Sequence, residues 1–223
     1  MTRSPNFGPR RDGLRPSLVV LHYTAMDSFD AARERLCDPA VEVSAHWLIG
    51  ESGTCTQLVD EEMRAWHAGA GSWGGEEDIN SRSIGIELCN TGAHPFPEPQ
   101  MAALEPLLAA ILNRWSIPPQ RVIGHSDMAP QRKFDPGPRF DWLRLARQGL
   151  SVWAQPGPAH ESAPFMESAT RFGYTADLPQ EAILAAFRAR FRPYAAGPES
   201  AADRALIGAL AALYPAASSS YLS

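Results

Sequence analysis

Residues 122–137 read VIGHSDMAPQRKFDPG, and this stretch indicates the fold and the site together. The apolar run from Val122 is typical of a buried strand, and it stops at His125. Lys133 and Asp135 follow in the next loop, where Pro136-Gly137 restricts the backbone after the aspartate. A polar group buried without a partner costs about 1–3 kcal/mol, so the end of such a strand needs a reason to be polar. The stretch predicts a strand that leads straight into a functional loop.

Two other apolar strand patterns carry polar residues at or near their ends. The run over 18–21 ends at His22, and SIGIEL, residues 83–88, contains Glu87. Two imidazoles and one carboxylate, here His22, His125 and Asp135, form a zinc ligand set that leaves a fourth position for water. The spacing alone is a weak signal that favours histidines with ordinary hydrogen-bond partners, and it leaves both interpretations open.

Strand and helix patterns alternate along the first two thirds of the chain. A helix is predicted over 28–36 with Ser28 as its N-cap, and a hairpin over 45–59. A glycine-rich stretch, 66–81, predicts a long surface loop, and 97–117 has the apolar spacing of an amphipathic helix. Such alternation predicts an α/β fold, with a central mixed β-sheet flanked by helices.

A proline-rich stretch divides the sequence into two parts. Residues 155–164, QPGPAHESAP, contain three prolines and no periodic pattern, which is typical of a linker. We therefore expect a catalytic domain over 1–154 and a small C-terminal helical domain over 165–223, with helices near 179–192 and 200–214. If the linker separates two cores, removing the tail should leave the first domain active.

Composition limits the partners of the protein. The formal net charge is −5, and no block of lysine and arginine follows a helix or tail, which argues against nucleic acid. No stretch approaches the ~18 apolar residues of a membrane span. The N-terminus has no apolar segment of the kind that signal peptides carry, so we expect a cytoplasmic monomer. A periplasmic location would require a leader ahead of residue 1.

The three cysteines, Cys37, Cys55 and Cys89, form no CxxC pair. We expect all three to be buried thiols without a chemical role.

Five short blocks in a fixed order carry a family resemblance. They are LHYTA, SAHWLIGESG, WHAG, SIGIEL and GHSDMAPQRKFDPG, and together they cover about residues 16–145. On these blocks the chain resembles the zinc-dependent N-acetylmuramoyl-L-alanine amidases of the type 2 amidase family, which are relatives of the peptidoglycan recognition proteins. The resemblance implies the fold of that family, and peptidoglycan fragments or muropeptides as partners.

The resemblance also implies a role for each matching residue. His22, His125 and Asp135 would bind Zn²⁺, Glu87 would handle the proton, and Lys133 would face the developing oxyanion. The implied reaction is hydrolysis of the amide between N-acetylmuramic acid, or its anhydro form, and L-alanine of the stem peptide, in cell-wall turnover or recycling. Zinc chemistry agrees, since zinc lowers the pKa of bound water to ~7.

The remaining polar residues each have a structural alternative. His67, in WHAG, and Asn90, after the Glu87 strand, are candidate substrate contacts or ordinary loop residues. His46 is expected in the core, while His94 and His160 lie in proline-rich loops and are expected to be solvated.

The tail resembles a peptidoglycan-binding module over about 165–214. Its Gly173-Tyr174 and Ala186-Phe187 pairs follow the rhythm of that module, but Arg188 stands where such modules often carry Gln. The alternative is a pair of helices docked on the catalytic core.

Two other classes of function remain. A muropeptide-recognition module without catalysis would not need three zinc ligands together with Glu87 and Lys133. A structural zinc protein would need a closed site of four ligands, and we expect Cys89, the nearest candidate, on the opposite strand face from Glu87.

Overall fold

The computed structural model describes residues 3–156 and 163–216, and it confirms the α/β fold. Its strands are β1 Phe7–Gly8, β2 Leu18–Tyr23, β3 Trp47–Ile49, β4 Cys55–Gln57, β5 Arg64–Ala65, β6 Ser83–Leu88 and β7 Val122–Gly124. The central sheet has the order β4-β3-β6-β2-β7, and β1 pairs with β5 in a separate ribbon. Strands β3, β6, β2 and β7 run parallel to one another, and β4 is antiparallel to β3, so the sheet is mixed as predicted.

Eight helices lie within the described ranges. They are α1 Phe29–Cys37, α2 Ile79–Arg82, α3 Glu98–Trp115, α4 His125–Met128, α5 Trp142–Arg147, α6 Phe165–Phe172, α7 Gln180–Phe191 and α8 Ala201–Leu213. Ser28 caps α1 as expected, because its hydroxyl accepts a hydrogen bond from the Ala31 N–H. None of the helices in these ranges has the length and apolar character needed to cross a membrane.

The sequence patterns missed the shorter helices α2, α4, α5 and α6. A helix of four to eight residues offers too few turns for its periodicity to stand out. The strand predicted through His125 ends one residue earlier, and His125 instead begins α4.

The two faces of the sheet pack against different layers, since successive side chains of a strand point to opposite sides. Val19, Leu21 and Ile86 belong to one cluster with the apolar side of α3. Leu18 and Val20, on the other face, belong to a second cluster with residues of α6, α7 and α8. This explains why β2 is apolar at every position from 18 to 21: both of its faces are covered.

The helices after residue 163 share their core with the sheet. Phe165, Phe187 and Leu210 lie in the same apolar cluster as Val20 and Ile123. The structure therefore does not show the two separate cores that we expected of this chain. Most of the proposed linker, residues 157–162, lies outside the described residues, and the division into two domains stays a prediction.

The cysteines differ from the prediction. Cys89 is buried, Cys37 is half-buried, and Cys55 is exposed. Cys55 is exposed because it lies on β4, the edge strand of the sheet. All three are free thiols.

Candidate active site

The ends of three parallel strands bring the predicted residues together. His22 near the end of β2 is the register partner of Glu87 on β6, so both side chains leave the same face of the sheet. His125 is the first residue after β7, which pairs with β2 on its other side. The carboxyl ends of parallel strands form one edge of a sheet, where ligands commonly bind in α/β proteins.

His22, His125 and Asp135 converge on one point. The Nδ1 atoms of the two histidines lie 2.9 Å apart, and Asp135 Oδ2 lies 2.9 Å from His22 Nδ1 and 3.0 Å from His125 Nδ1. The loop returns to this position because the Ser126 N–H donates to the Asp135 carbonyl oxygen at 2.9 Å. Within the part of the chain that the structure describes, these three residues are the group able to hold a metal ion.

The hydrogen bond at the far side of the His125 ring determines its tautomer. Its Nε2 lies 2.9 Å from the carbonyl oxygen of Ala68. A carbonyl can only accept, so Nε2 carries the proton. In the form of the ring that binds a metal, Nδ1 then presents a lone pair to the centre of the group.

A chain of hydrogen bonds does the same for His22. The Ser83 hydroxyl donates to the Ile79 carbonyl oxygen at 2.6 Å, so its oxygen accepts from His67 Nε2 at 3.2 Å. His67 Nδ1 is then an acceptor, and it receives the Nε2–H of His22 at 3.0 Å. His22 Nδ1 is left with a lone pair that also faces the centre.

The charge states of His22 and Asp135 also suit a metal site. Burial and the neighbouring His125 lower the pKa of His22 to about 4, so its ring is neutral at pH 7. Burial alone would raise the pKa of Asp135, but the two imidazoles against it outweigh burial and hold that pKa below its usual range. Two imidazoles and one carboxylate with converging ligand atoms fit a zinc ion with a free fourth position.

Glu87 lies next to the three candidate metal ligands and keeps one carboxyl oxygen available. Its Oε2 is buried and has no hydrogen-bond partner among the described residues. Burial and, to a smaller extent, the charge of Asp135 raise the pKa of Glu87 to about 8, against the opposing charge of Lys133. A buried unsatisfied carboxyl with a displaced pKa is typical of a functional site.

These residues line a cavity of about 360 Å³. His22, Glu87, His125, Lys133 and Asp135 all contribute to its wall. Other lining side chains are Trp66, His67, Arg132 and Phe134, of which Phe134 is 71% exposed. The cavity thus brings together six of the residues that the sequence singled out, His67 included, between polar and apolar side chains.

The structure does not bring Asn90 into the cavity. Its side chain is buried, its Oδ1 accepts from the Gly92 N–H at 2.7 Å, and its Nδ2 lies 3.2 Å from His94 Nδ1. The amide therefore organises the loop after β6. His67 does reach the cavity, but its Nδ1 contacts His22.

The other histidines are placed as follows. His46 is buried, as predicted: its Nδ1 accepts from the Gly85 N–H and its Nε2 donates to the Met63 carbonyl oxygen. His94 is partly exposed and lies 3.4 Å from Glu51. His160 lies outside the described residues.

The expected position of Cys89 is wrong. Cys89 packs in one cluster with Leu48, and Leu48 is the register partner of Glu87, so the thiol lies on the Glu87 side of the sheet. Residues two apart share a strand face, which the sequence argument overlooked. Cys89 is nevertheless not part of the group that can hold a metal.

Three contributors were missed from sequence: the Ala68 carbonyl, Ser83 and Gly85. A Cβ on Gly85 would lie 2.4 Å from the His67 ring, so only glycine leaves room for that imidazole. Ser83, Gly85 and Glu87 alternate along β6, which places all three on the face that carries His22. That alternation was the available signal.

The sequence matches a known family over the residues that build this site. Residues 12–138 match the Amidase_2 family model, described as N-acetylmuramoyl-L-alanine amidase. This chain belongs to that family. The amidase is 37% identical over 212 residues to the N-acetylmuramoyl-L-alanine amidase AmiD of Escherichia coli, a match that covers 80% of this chain and 76% of AmiD. It is 36% identical over 160 residues to the 1,6-anhydro-N-acetylmuramyl-L-alanine amidase AmpD of Haemophilus influenzae, covering 64% of this chain and 87% of AmpD.

Solved structures agree with these matches. AmiD of E. coli in complex with the substrate anhydro-N-acetylmuramic acid-L-Ala-D-gamma-Glu-L-Lys superposes on the amidase with a TM-score of 0.81, at 35% identity and 92% coverage of both chains. AmpDh3 of Pseudomonas aeruginosa in complex with an anhydromuramic pentapeptide gives a TM-score of 0.81 at 32% identity, covering 92% of this chain and 94% of AmpDh3.

Proposed function

We propose that this amidase hydrolyses the amide bond between N-acetylmuramic acid, or its anhydro form, and L-alanine of the stem peptide. We further propose that His22, His125 and Asp135 hold one zinc ion for this reaction. The observation that carries the proposal is the set of three converging ligand atoms beside the unpaired Oε2 of Glu87. The substrate complexes of AmiD and AmpDh3 support the substrate class.

A zinc ion held by these residues would supply Lewis acidity, which would bring the pKa of a water molecule to ~7 and polarise the amide carbonyl. The protein holds the ligands for it in the required tautomers, through Ala68 for His125 and through His67 and Ser83 for His22. Such outer hydrogen bonds fix ring orientation and raise the basicity of the ligand.

Glu87 is the general base and then the general acid. Its Oε2 has no competing hydrogen bond among the described residues, so it is available to take a proton from water and return it to the departing L-alanine nitrogen. The raised pKa of about 8 describes the site without a cation. A nearby cation favours the carboxylate and lowers that pKa, which brings Glu87 towards the range where both transfers are efficient.

Lys133 provides a fixed positive charge in the same cavity. It is half-buried, lines the wall with Glu87 and Asp135, and lowers the pKa of Glu87 through its charge. An ammonium group in a partly desolvated cleft stabilises the oxygen that becomes negative in the tetrahedral transition state.

Wall binding by the C-terminal helices remains a proposal that rests on their sequence resemblance. Arg188, the residue that departs from that pattern, is committed to the fold: it pairs with Asp203 and donates to the carbonyl oxygens of Gly197 and Pro198. Its guanidinium is therefore an internal support for the loop between α7 and α8, and any wall contact would have to use other residues.

Product analysis tests the proposed function. We would incubate the purified protein with a soluble anhydro-muropeptide and, in parallel, with intact sacculi, and identify the products by mass spectrometry. The proposal expects a free stem peptide with L-alanine at its new N-terminus, and the lactyl carboxylate on the sugar. A protein that binds the muropeptide with zinc present but releases no such peptide would be a recognition module instead.

A further inference from the structure

A buried carboxylate lies two residues after His125, and residues of the C-terminal helices hold it. Asp127, on α4, is 1% exposed. Its Oδ2 accepts from the Gly124 N–H at 2.8 Å, which caps the turn that begins with His125. The same Oδ2 accepts from Arg190 Nη1 at 2.7 Å, and Oδ1 accepts from the Tyr174 hydroxyl at 2.6 Å. Two residues of the C-terminal segment, Arg190 and Tyr174, thus hold the turn that begins with His125.

Arg190 also contacts the strand that leads to His125. From α7, its Nη2 donates to the Val122 carbonyl oxygen at 3.0 Å and to Ser151 Oγ at 3.2 Å. Its guanidinium lies 4.2 Å from the centre of the Trp142 ring. Arg190 is only 3% exposed, so these contacts take the place of water at both Nη atoms, while its buried Nε has no hydrogen-bond partner among the described residues. One side chain therefore joins the backbone of β7 to the carboxylate that caps α4.

A second contact holds the loop on the other side of His125. The ring of Trp73 packs against Phe172 and Tyr174, and a Cβ on Gly173 would lie 2.4 Å from it. The Gly74 N–H donates to the Gly173 carbonyl oxygen at 2.8 Å. This loop is the one whose Ala68 carbonyl receives the Nε2–H of His125.

We propose that the C-terminal helices position the metal site, and that Arg190 and Tyr174 are the residues through which they do so. The inference rests on the zinc site of the proposed function. It gives a structural use to Gly173-Tyr174, the pair that the sequence associates with a wall-binding module: in this chain the glycine admits Trp73 and the tyrosine holds Asp127. It also reverses the expectation that the first domain works unchanged without its tail.

The physical reason is the cost of leaving Asp127 buried without its partners. Breaking a buried ion pair by removing one partner typically costs 3–5 kcal/mol, because an uncompensated charge stays behind. Asp127 relieves that cost by turning towards water, and in doing so it gives up the Gly124 N–H. His125 follows directly after Gly124, so its ring loses its fixed position relative to His22 and Asp135.

Zinc affinity of the full chain, measured by competition with a chromogenic chelator, tests this directly. The variants are Arg190→Gln and Tyr174→Phe, the second of which removes one hydroxyl and keeps the ring on Trp73. Losing a partner in the hydrogen-bond network around a metal site typically weakens binding 10–100-fold, so we expect about tenfold weaker zinc binding for Arg190→Gln and a smaller loss for Tyr174→Phe. Arg190→Lys, which can still reach Asp127 with one donor, should recover part of the affinity.

Arg188→Gln is the matched control. Arg188 lies on the same helix, is 8% exposed and pairs with the buried Asp203, but its partners Asp203, Gly197 and Pro198 all belong to the C-terminal segment. We expect it to lower the melting temperature while zinc affinity stays within about twofold, since it leaves the contacts around the metal site intact.

The outcomes separate this inference from the proposed function. If the wild type binds about one zinc ion per chain and both Arg190→Gln and Tyr174→Phe bind it equally well, the positioning role is refuted. The same holds if Arg188→Gln weakens zinc binding as much as Arg190→Gln does, because the effect would then follow general stability. If Arg190→Gln does not fold, Tyr174→Phe decides alone. A wild type without zinc affinity would instead refute the proposed zinc site itself.

Discussion

Glu87 and His22 are register partners on the parallel strands β6 and β2, and their side chains leave the same face of the sheet. The pKa of the carboxyl is raised to about 8 and that of the imidazole is lowered to about 4. Burial is the largest cause in both cases, and it acts in opposite directions because it disfavours the charged form of each group. The same buried environment thus keeps the imidazole of His22 neutral and keeps the carboxyl of Glu87 protonated to a higher pH than usual.

Replacing His125 with alanine should remove zinc from the protein. With one imidazole gone, only two ligands remain, and a zinc site normally needs three protein ligands or more. We expect metal analysis to give about one zinc ion per wild-type chain and close to none in His125→Ala. His94→Ala is the control, since His94 lies outside the ligand group and should leave the metal content unchanged. Tightly held zinc in His125→Ala would mean that the ligand set is wrong.

The stability of the metal-free protein should depend on pH through Glu87. In the unfolded chain this carboxyl loses its proton near its ordinary pKa of 4.5, whereas the folded protein keeps the proton up to about pH 8. Between these values the folded state binds more protons than the unfolded state, so the free energy of unfolding falls as pH rises. Glu87→Gln lacks this titration and should gain stability relative to the wild type between about pH 5 and pH 8.

Urea unfolding in the presence of a chelator measures this difference. The two proteins should differ increasingly from pH 5 to pH 8, and by a nearly constant amount above that range. Parallel stability curves for wild type and Glu87→Gln would contradict the raised pKa. Adding zinc should reduce the dependence, because a cation beside Glu87 lowers its pKa.

Gly85→Ala should disturb the site by displacing His67, the residue that contacts His22. Its Cβ would lie 2.4 Å from the His67 ring, which has to move away from His22 to make room. Overpacking of this kind typically costs about 1–3 kcal/mol of stability, and the loss of the His22 contact should weaken zinc binding as well. Gly8→Ala is the control, since a Cβ there would meet nothing within 4 Å. Thermal melts and chelator competition on both variants check this, and unchanged zinc affinity in Gly85→Ala would remove His67 from the support of His22.

The ligand group was predictable because its members sit where local patterns change. His22 is the next-to-last residue of an apolar strand, His125 directly follows another, and Asp135 is followed by Pro136-Gly137. Parallel strands then bring those ends together without further information. The conversion of His125 into the start of α4 was not visible, since a four-residue turn has no periodicity of its own.

Contacts between residues far apart in the chain could not be predicted from the sequence. Tyr174 belongs to the wall-binding pattern of the sequence and Arg190 to no pattern, and only the folded chain shows that they meet at Asp127. The Ala68 carbonyl carries no side-chain signal at all. Asn90 illustrates the opposite case: it follows the strand of Glu87, yet its amide is used by the loop it belongs to.

The central claim is that Glu87 transfers the proton in a reaction at a zinc site that it does not itself ligate. Glu87→Gln keeps the shape of the side chain and removes its basicity. We would measure zinc content and the rate of release of the L-alanine-terminated peptide from an anhydro-muropeptide on the same preparations. General acid–base assistance typically contributes about 10²–10⁴-fold, so the account predicts a rate lower by that factor at unchanged zinc content. A wild-type rate in Glu87→Gln, or loss of zinc along with activity, would contradict it.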